Sequence, residues 1–114
     1  MKAGLSFLYL RDENRFPVAC VAIDINEDRL NYKFATSTVN PLDRAKFSKI
    51  LAKQIAVGRL KKKPTEGMLI VDQYYKPVFS DIAESVVESI ADCAPGRITR
   101  NAAKRWLKNL DQQP

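Results

Sequence analysis

The N-terminal third of the chain carries the short hydrophobic runs that are typical of β-strands. Residues 5–10 form an apolar run rich in aromatic side chains, and residues 17–25 are apolar almost throughout, which favours a strand buried on both faces. Residues 29–37 instead alternate between large apolar and polar side chains, as in a half-buried strand. Only short polar turns separate the three segments, so the pattern predicts a three-stranded antiparallel meander.

The pattern then changes to the helical period over residues 41–60. Phe47, Leu51 and Ile55 recur at every fourth position, so we expect them to form the buried stripe of this helix. Gly58 lies inside the same segment, where glycine costs about 1 kcal/mol relative to alanine. We interpret it as a point of close packing against a neighbouring backbone.

Two further amphipathic helices are predicted over residues 80–92 and 99–110. Between the first two helices, a short apolar run at residues 67–71 indicates either a fourth strand or the lead-in to a helix. The chain has 114 residues, which fits one domain. The sequence therefore predicts a single α+β domain, in which the meander packs against three helices.

The composition argues against most catalytic and metal chemistry. The chain has no histidine, so it lacks the commonest general base and the commonest transition-metal ligand. Cys20 and Cys93 lie in apolar contexts, and we expect both to be buried free thiols. No glycine-rich phosphate loop or nucleophile with an adjacent base is evident. We therefore expect a protein that is not an enzyme and holds no cofactor or metal.

The sequence also bears on where the protein acts. No stretch reaches the roughly 18 apolar residues of a membrane helix. The apolar run at the N-terminus is short and has no small-residue cleavage site, so it does not resemble a signal peptide. We expect a cytoplasmic protein without a membrane partner.

The net charge of +6 is concentrated in two of the predicted helices. Residues 44–63 contain eight basic residues and no acidic one, and residues 97–108 repeat this bias. Such runs favour polyanionic partners, because each lysine or arginine that neutralises a phosphate releases a counterion. The candidate nucleic-acid-binding residues are Lys46, Lys49, Lys53, Arg59, Lys61, Lys62, Lys63, Arg97, Arg100 and Lys104.

Helical geometry places three of these candidates together. At about 100° per residue, Lys46, Lys49 and Lys53 fall on the side of their helix opposite the predicted apolar stripe. The alternative is a solvated face, or a face that pairs with the helix at residues 80–92, whose charged side chains are all acidic. Such an acidic ridge would relieve the basic charge without any external ligand.

Three aromatic side chains are candidates for stacking on bases: Tyr74, Tyr75 and Trp106. Trp106 shares a helix face with Ala103 and Leu110, which favours packing in the core. Adjacent side chains diverge, so we expect at most one of the two tyrosines to contribute.

One segment resembles a known group of proteins. Residues 47–60 read Phe-Ser-Lys-Ile-Leu-Ala-Lys-Gln-Ile-Ala-Val-Gly-Arg-Leu, with Asn40-Pro41 and Asp43 just before them and Pro-Val-Ala at residues 17–19. This pattern resembles the Phe-Ser-Lys-x-x-Ala-Lys-x-Ile-Ala-x-Gly-Arg-Leu helix of small uncharacterised bacteriophage and prophage proteins, over about residues 16–60. The resemblance implies a phage accessory role inside an infected bacterium and assigns no catalytic residue.

A second resemblance is to double-stranded RNA-binding domains, whose last helix follows three antiparallel strands. Ser48-Lys49, Ala52-Lys53 and Ala56 match the spacing of that helix. The resemblance implies that Lys49 and Lys53 grip phosphates across a groove.

Together these features predict a small phage-type accessory protein that binds the backbone of DNA or RNA through basic helices. The alternative is an inhibitor or adaptor that binds an acidic surface of a host protein, as an anti-defence or host-takeover factor. A third interpretation is an assembly factor that self-associates through an exposed face of its sheet, for example as a homodimer.

Overall fold

The computed structural model describes residues 2–38 and 49–111 and has an α+β fold. Its strands are β1 (Gly4–Arg11), β2 (Pro17–Ile25), β3 (Asn31–Thr38) and β4 (Thr65–Met68), and its helices are α1 (Lys49–Lys62), α2 (Phe79–Cys93) and α3 (Arg97–Asp111). The strands form one antiparallel sheet in the order β1-β2-β3-β4. The strands β1 and β4 are therefore its edges.

The predicted α+β class and the meander are confirmed. The predicted second strand has the observed bounds, and the apolar run near residues 67–71 contributes the end of β4. The predicted helix over residues 41–60 is confirmed from residue 49 onward, and residues 41–48 lie outside the described part of the chain. None of the described helices is long and apolar enough to span a membrane.

The larger core lies between one face of the sheet and the helices α2 and α3. Ile23 and Val21 of β2 are fully buried there against Ile82 and Val86 of α2, with Ala103 of α3 completing the layer. These helices bury one apolar face each, as their residue spacing predicts.

The helix α1 covers the opposite face of the sheet through small side chains. Ala52 and Ala56 of α1 are buried against Cys20 and Ala22 of β2. The Ser37 hydroxyl of β3 donates a hydrogen bond to the carbonyl oxygen of Ala52 at 2.8 Å. Because these side chains are small, the helix backbone lies close to the sheet.

The predicted buried stripe of α1 is wrong for the residues that the structure describes. Leu51 is 55% exposed and Ile55 is 40% exposed, and the neighbouring Ile50 is 73% exposed. The helix is rotated because Ala52 and Ala56 fit the flat surface above Cys20 and Ala22, whereas larger side chains would hold the helix away. The remaining member of the stripe, Phe47, lies outside the described residues.

Two smaller expectations are also corrected. Cys20 is a buried free thiol as expected, but Cys93 is exposed because it is the last residue of α2 and lies beyond the packed part of that helix. Gly58 does not mark a close approach of two backbones. A Cβ atom added there would meet nothing within 4 Å, since Gly58 lies on the side of α1 away from the sheet.

The two hairpin turns of the meander are built alike. Arg15 in the β1–β2 turn and Arg29 in the β2–β3 turn both have left-handed backbone conformations, with φ of 66° and 60°. Each follows a tight turn closed by a backbone hydrogen bond, from Arg15 N to Asp12 O and from Arg29 N to Asn26 O. Hairpin loops of this type favour glycine at the left-handed position.

Candidate functional site

A cleft of about 460 Å³ lies at the β1 edge of the sheet, where the β1–β2 turn meets α3. We call it the β1-edge cleft. Its basic side chains are Arg11, Arg15 and Arg105, and its aromatic side chains are Tyr9 and Trp106. Asp12, Glu13, Ala102 and Asn109 complete the lining.

The turn presents its side chains to the cleft through a fixed backbone. Asp12 Oδ1 accepts hydrogen bonds from the backbone N–H groups of Asn14 and Phe16. The Arg11 guanidinium donates a hydrogen bond to the carbonyl oxygen of Arg15 at 3.0 Å. The shape of the turn is therefore set by bonds that leave the Arg15 side chain at the cleft.

One ion pair crosses the cleft. Arg105 Nη2 lies 4.0 Å from Glu13 Oε2, and both side chains are substantially exposed. Exposed pairs of this kind contribute little to stability. An anionic ligand can therefore compete with Glu13 for the arginine.

Two lysines of α1 reach the same edge from the other face of the sheet. Lys49 Nζ lies 5.1 Å from the centre of the Tyr9 ring, and Lys53 Nζ lies 5.0 Å from the centre of the Phe7 ring. Both distances suit cation–π contacts. Tyr9 also lines the β1-edge cleft, so it joins the lysines of α1 to the arginines of the turn and of α3.

The groups beneath these lysines favour their neutral forms. Burial raises the pKa of the Tyr9 phenol and the pKa of the Cys20 thiol. Neither group therefore supplies a negative charge near neutral pH. The ammonium charges of Lys49 and Lys53 stay available to a ligand.

Two predicted site residues hold the fold together. Arg59 donates a hydrogen bond to the carbonyl oxygen of Thr36 at 2.8 Å and so ties α1 to β3. Arg100 donates to the carbonyl oxygens of Ala94 and Pro95 at 2.8 and 3.2 Å, where α2 ends. Their guanidinium groups are already engaged with backbone oxygens.

The other candidates are spread over the surface. Lys61, Lys62 and Lys63 are exposed at the C-terminal end of α1, and Arg97 and Lys104 are exposed on α3. Because α1 and α3 lie on opposite faces of the sheet, the two basic helices do not form one continuous face. Lys46 lies outside the described residues.

The acidic side chains of α2 do not neutralise either basic helix within the described residues. The ion pairs found there are Lys33 with Glu66 at 3.8 Å and Glu13 with Arg105. The α2 residues Asp81, Glu84, Glu88 and Asp92 alternate with its buried side chains and lie on its outer side.

Sequence reasoning missed Arg11, Arg15 and Arg105 as members of one site. Arg105 is distant in sequence from Arg11 and Arg15, and it meets them only because α3 packs against β1. The left-handed conformation of Arg15, at a turn position that favours glycine, is visible only in the structure. Of the aromatic candidates, Trp106 both packs against the larger core and lines the cleft.

Within residues 2–38 and 49–111, no three His, Cys, Asp or Glu side chains converge as metal ligands would. Tyr74 and Tyr75 lie after β4, at the other edge of the sheet from the cleft, and are 85% and 48% exposed. Comparisons of the chain with protein-family models, with curated proteins and with solved structures each found no match.

Proposed function

We propose that this protein acts by binding single-stranded nucleic acid along the β1 edge of its sheet, without catalysis. The observation that carries the proposal is the position of Tyr9, which contacts Lys49 on one side and lines the β1-edge cleft on the other. Basic and aromatic side chains from both layers of the fold thus meet at one edge. Interleaved charges and rings are what a single strand requires.

The charged groups suit the phosphates. Arginine presents a planar fork that matches phosphate oxygens, and three arginines line the cleft. The cation–π contacts of Lys49 and Lys53 are worth only about 0.5–1 kcal/mol each at exposed sites. A phosphate can therefore draw each ammonium group away from its ring at small cost.

The cleft suits an unpaired base. Its volume of about 460 Å³ lies in the range of small-ligand sites. Trp106 is a half-buried part of its lining and offers a ring on which a base can stack. Bases of a duplex are already stacked on their neighbours, so the cleft favours a single strand.

The remaining basic residues act at longer range. Lys61, Lys62, Lys63, Arg97 and Lys104 are exposed elsewhere on the surface and contribute to the net charge of +6. Such charges steer a polyanion and raise its association rate, but they position a backbone without reading bases. We therefore expect weak sequence preference, as would suit the phage accessory role that the sequence resemblance implies.

The test is a binding titration with nuclease-treated protein and labelled single-stranded and duplex DNA and RNA. We expect tighter binding to single strands, with an affinity that falls by at least tenfold between about 50 and 200 mM salt. The double variant Lys49→Glu/Lys53→Glu and the single variant Trp106→Leu should both weaken binding to single strands. Only Lys49→Glu/Lys53→Glu should reduce the dependence of the affinity on salt, because it removes charged groups that contact phosphates.

The matched control is the double variant Lys33→Glu/Lys76→Glu, which changes the net charge equally on residues away from the β1 edge. We expect it to lose much less affinity than Lys49→Glu/Lys53→Glu. Equal losses would show that net charge alone drives binding. The proposal fails if the wild-type protein binds no nucleic acid at low salt.

A further inference from the structure

The outer face of α1 is apolar and basic. We define it by Ile50, Leu51 and Ile55, which are 73%, 55% and 40% exposed, and by the exposed Lys61 and Lys62 that follow on the same side of the helix. It points away from the sheet, since α1 packs through Ala52 and Ala56. Clustered exposed aliphatic side chains mark an interaction surface.

A second unusual surface lies after β4. Residues 69–78 connect β4 to α2, and their side chains include Ile70 at 93% and Val78 at 50% exposure. A cleft of about 390 Å³ opens between this segment and the first turns of α2. We call it the acidic cleft, because its apolar lining of Leu69, Val71 and Tyr75 is edged by Asp72, Asp81 and Glu84.

Hydrogen bonds hold the walls of the acidic cleft in place. The Tyr75 hydroxyl contacts both carboxylate oxygens of Asp81 at 3.0 and 2.9 Å, and Asp81 Oδ2 accepts a bond from Val78 N at 2.8 Å. Asp72 Oδ1 accepts a bond from Tyr74 N at 3.0 Å. The cleft is thus formed before any ligand arrives, which lowers the entropy lost on binding.

The two surfaces are complementary in both character and charge. The outer face of α1 offers aliphatic side chains followed by lysines, and the acidic cleft offers an apolar floor edged by three carboxylates. An amphipathic helix that lays its apolar face into a groove is a recurrent mode of recognition. Lysine heads at the rim would meet carboxylates, which fixes the orientation.

A chain cannot fill its own acidic cleft with its own α1. The helix lies on one face of the sheet, whereas Leu69 and α2 belong to the layer on the other face. We therefore propose that the occupant is a second copy of this chain, whose α1 docks by its outer face into the acidic cleft. Contacts of this kind join unlike surfaces, so the copies associate head to tail.

The association is expected to be weak. The helix has 14 residues, and one face of it covers less than the roughly 800 Å² per partner of a standard interface. Concentration should therefore control the assembly. The proposal does not depend on nucleic-acid binding, because none of the residues at the β1 edge takes part.

Sedimentation velocity of the full chain, from micromolar to millimolar concentration, tests the proposal. We expect the sedimentation coefficient of the wild-type protein to rise with concentration. Ile50→Glu alters the helix face and Glu84→Lys alters the cleft, and each variant alone should lose this rise. Circular dichroism of each variant establishes that the loss is not a loss of folding.

Mixing the two variants gives the decisive result. A Glu84→Lys chain keeps an intact helix face and an Ile50→Glu chain keeps an intact cleft, so an equimolar mixture should form a discrete dimer and nothing larger. The controls are Leu5→Glu, at another exposed aliphatic side chain, and Glu27→Lys, which makes the same charge change in the β2–β3 turn. Both should assemble like the wild type.

Three results would overturn the proposal. If the wild-type chain stays monomeric at millimolar concentration, a second copy does not occupy the acidic cleft, and its ligand would be a segment of another protein. A mixture that forms no dimer would show that the two surfaces do not meet. Loss of assembly in Leu5→Glu with none in Ile50→Glu would place the interface at the β1 edge. Nucleic-acid binding by Ile50→Glu, measured separately, shows whether the proposed function stands when this one fails.

Discussion

Two arginines occupy turn positions that favour glycine, and only one of them lies in the proposed site. Arg15 and Arg29 have nearly the same left-handed conformation, which costs a side chain with a Cβ atom about 1 kcal/mol. Arg15 lines the β1-edge cleft, whereas Arg29 lies in the turn at the far end of β2. Substitutions at these two arginines therefore distinguish the effect of backbone strain on stability from the effect of the side chain on binding.

We expect Arg15→Gly and Arg29→Gly to change the free energy of unfolding alike. Each relieves the left-handed strain and also raises the entropy of the unfolded chain, so the net gain should be at most about 1 kcal/mol. Both remove one positive charge, but only Arg15→Gly should weaken binding to single strands. Urea titrations and binding isotherms measure the two effects, and equal losses of affinity would contradict a role for the cleft.

We expect substitution by alanine to have opposite effects on the free energy of unfolding at two glycines. A Cβ atom at Gly67 would lie 2.5 Å from the Tyr32 ring, which crosses β4 to share a hydrogen bond with Ser85 of α2 at 2.6 Å. We expect Gly67→Ala to lower the free energy of unfolding by about 1–3 kcal/mol through overpacking. Gly58→Ala should raise it by about 1 kcal/mol, because a helical site with open space gains only helix propensity.

Thermal and urea unfolding of the two alanine variants, at low protein concentration, measure this difference. Destabilisation by Gly58→Ala would mean that this side of α1 is packed after all. If Gly67→Ala left the free energy of unfolding unchanged, Tyr32 would be able to move without loss of its contact to α2.

At the scale of whole elements, α1 shows what periodicity can and cannot predict. The spacing of apolar side chains correctly predicted a helix there, but it did not predict which side faces the sheet. That choice depends on the surface opposite, where Cys20 and Ala22 leave room for Ala52 and Ala56. The burial of the strands could be predicted from the sequence, because an alternating pattern indicates one buried face and a continuous apolar run indicates two. The strand β2 was predicted with its observed bounds.

Matched isoleucines in two helices test the orientation of α1. Ile82 of α2 is 0% exposed and Ile50 of α1 is 73% exposed. We expect Ile82→Ala to lower the free energy of unfolding by about 2–5 kcal/mol, since it leaves a cavity. Ile50→Ala should change it by less than about 0.5 kcal/mol. Urea unfolding measures both, and a large loss from Ile50→Ala would indicate that the side of α1 that carries Ile50 is buried.

The two cysteines report on the packing of α1 against the sheet. Cys20 is buried beneath α1 and Cys93 is exposed at the end of α2. Burial also raises the pKa of the Cys20 thiol, so less of the reactive thiolate is present at a given pH. We expect Cys20 in a Cys93→Ser chain to react at least about 100-fold more slowly with a thiol reagent than Cys93 in a Cys20→Ser chain, because labelling requires local opening.

Ala56→Leu in the Cys93→Ser background provides the control for this interface. The larger side chain would push α1 away from Cys20 and Ala22, so the labelling of Cys20 should accelerate. Similar rates for the two thiols in the unaltered interface would contradict the close contact between α1 and β2.

At the scale of the whole molecule, charge segregation was visible in the sequence but the site was not. The sequence placed most basic residues on two helices, and the fold then separated these helices onto opposite faces of the sheet. The cleft arises where α3 crosses the end of β1, which brings Arg105 beside Arg11 and Arg15. A contact between distant segments has no local pattern, so no reading of runs or periods could have located it.

The two proposed surfaces are separate, and this separation predicts cooperative binding. In our two proposals, the β1-edge cleft binds the strand, while the outer face of α1 and the acidic cleft link one copy to the next. Copies bound along one strand are held at high effective concentration, so even a weak head-to-tail contact should add to the affinity. A strand that holds a single copy gains nothing from this contact.

We therefore expect Ile50→Glu to bind a short single strand as tightly as the wild type and a long strand about tenfold less tightly per site. Arg15→Gly should weaken binding to both lengths, because it acts on the cleft of every copy. Fluorescence anisotropy with strands of increasing length measures these affinities. If Ile50→Glu weakened binding to the short strand, the outer face of α1 would contact nucleic acid directly. If Ile50→Glu bound strands of both lengths as tightly as the wild type, self-association would not contribute to nucleic-acid binding.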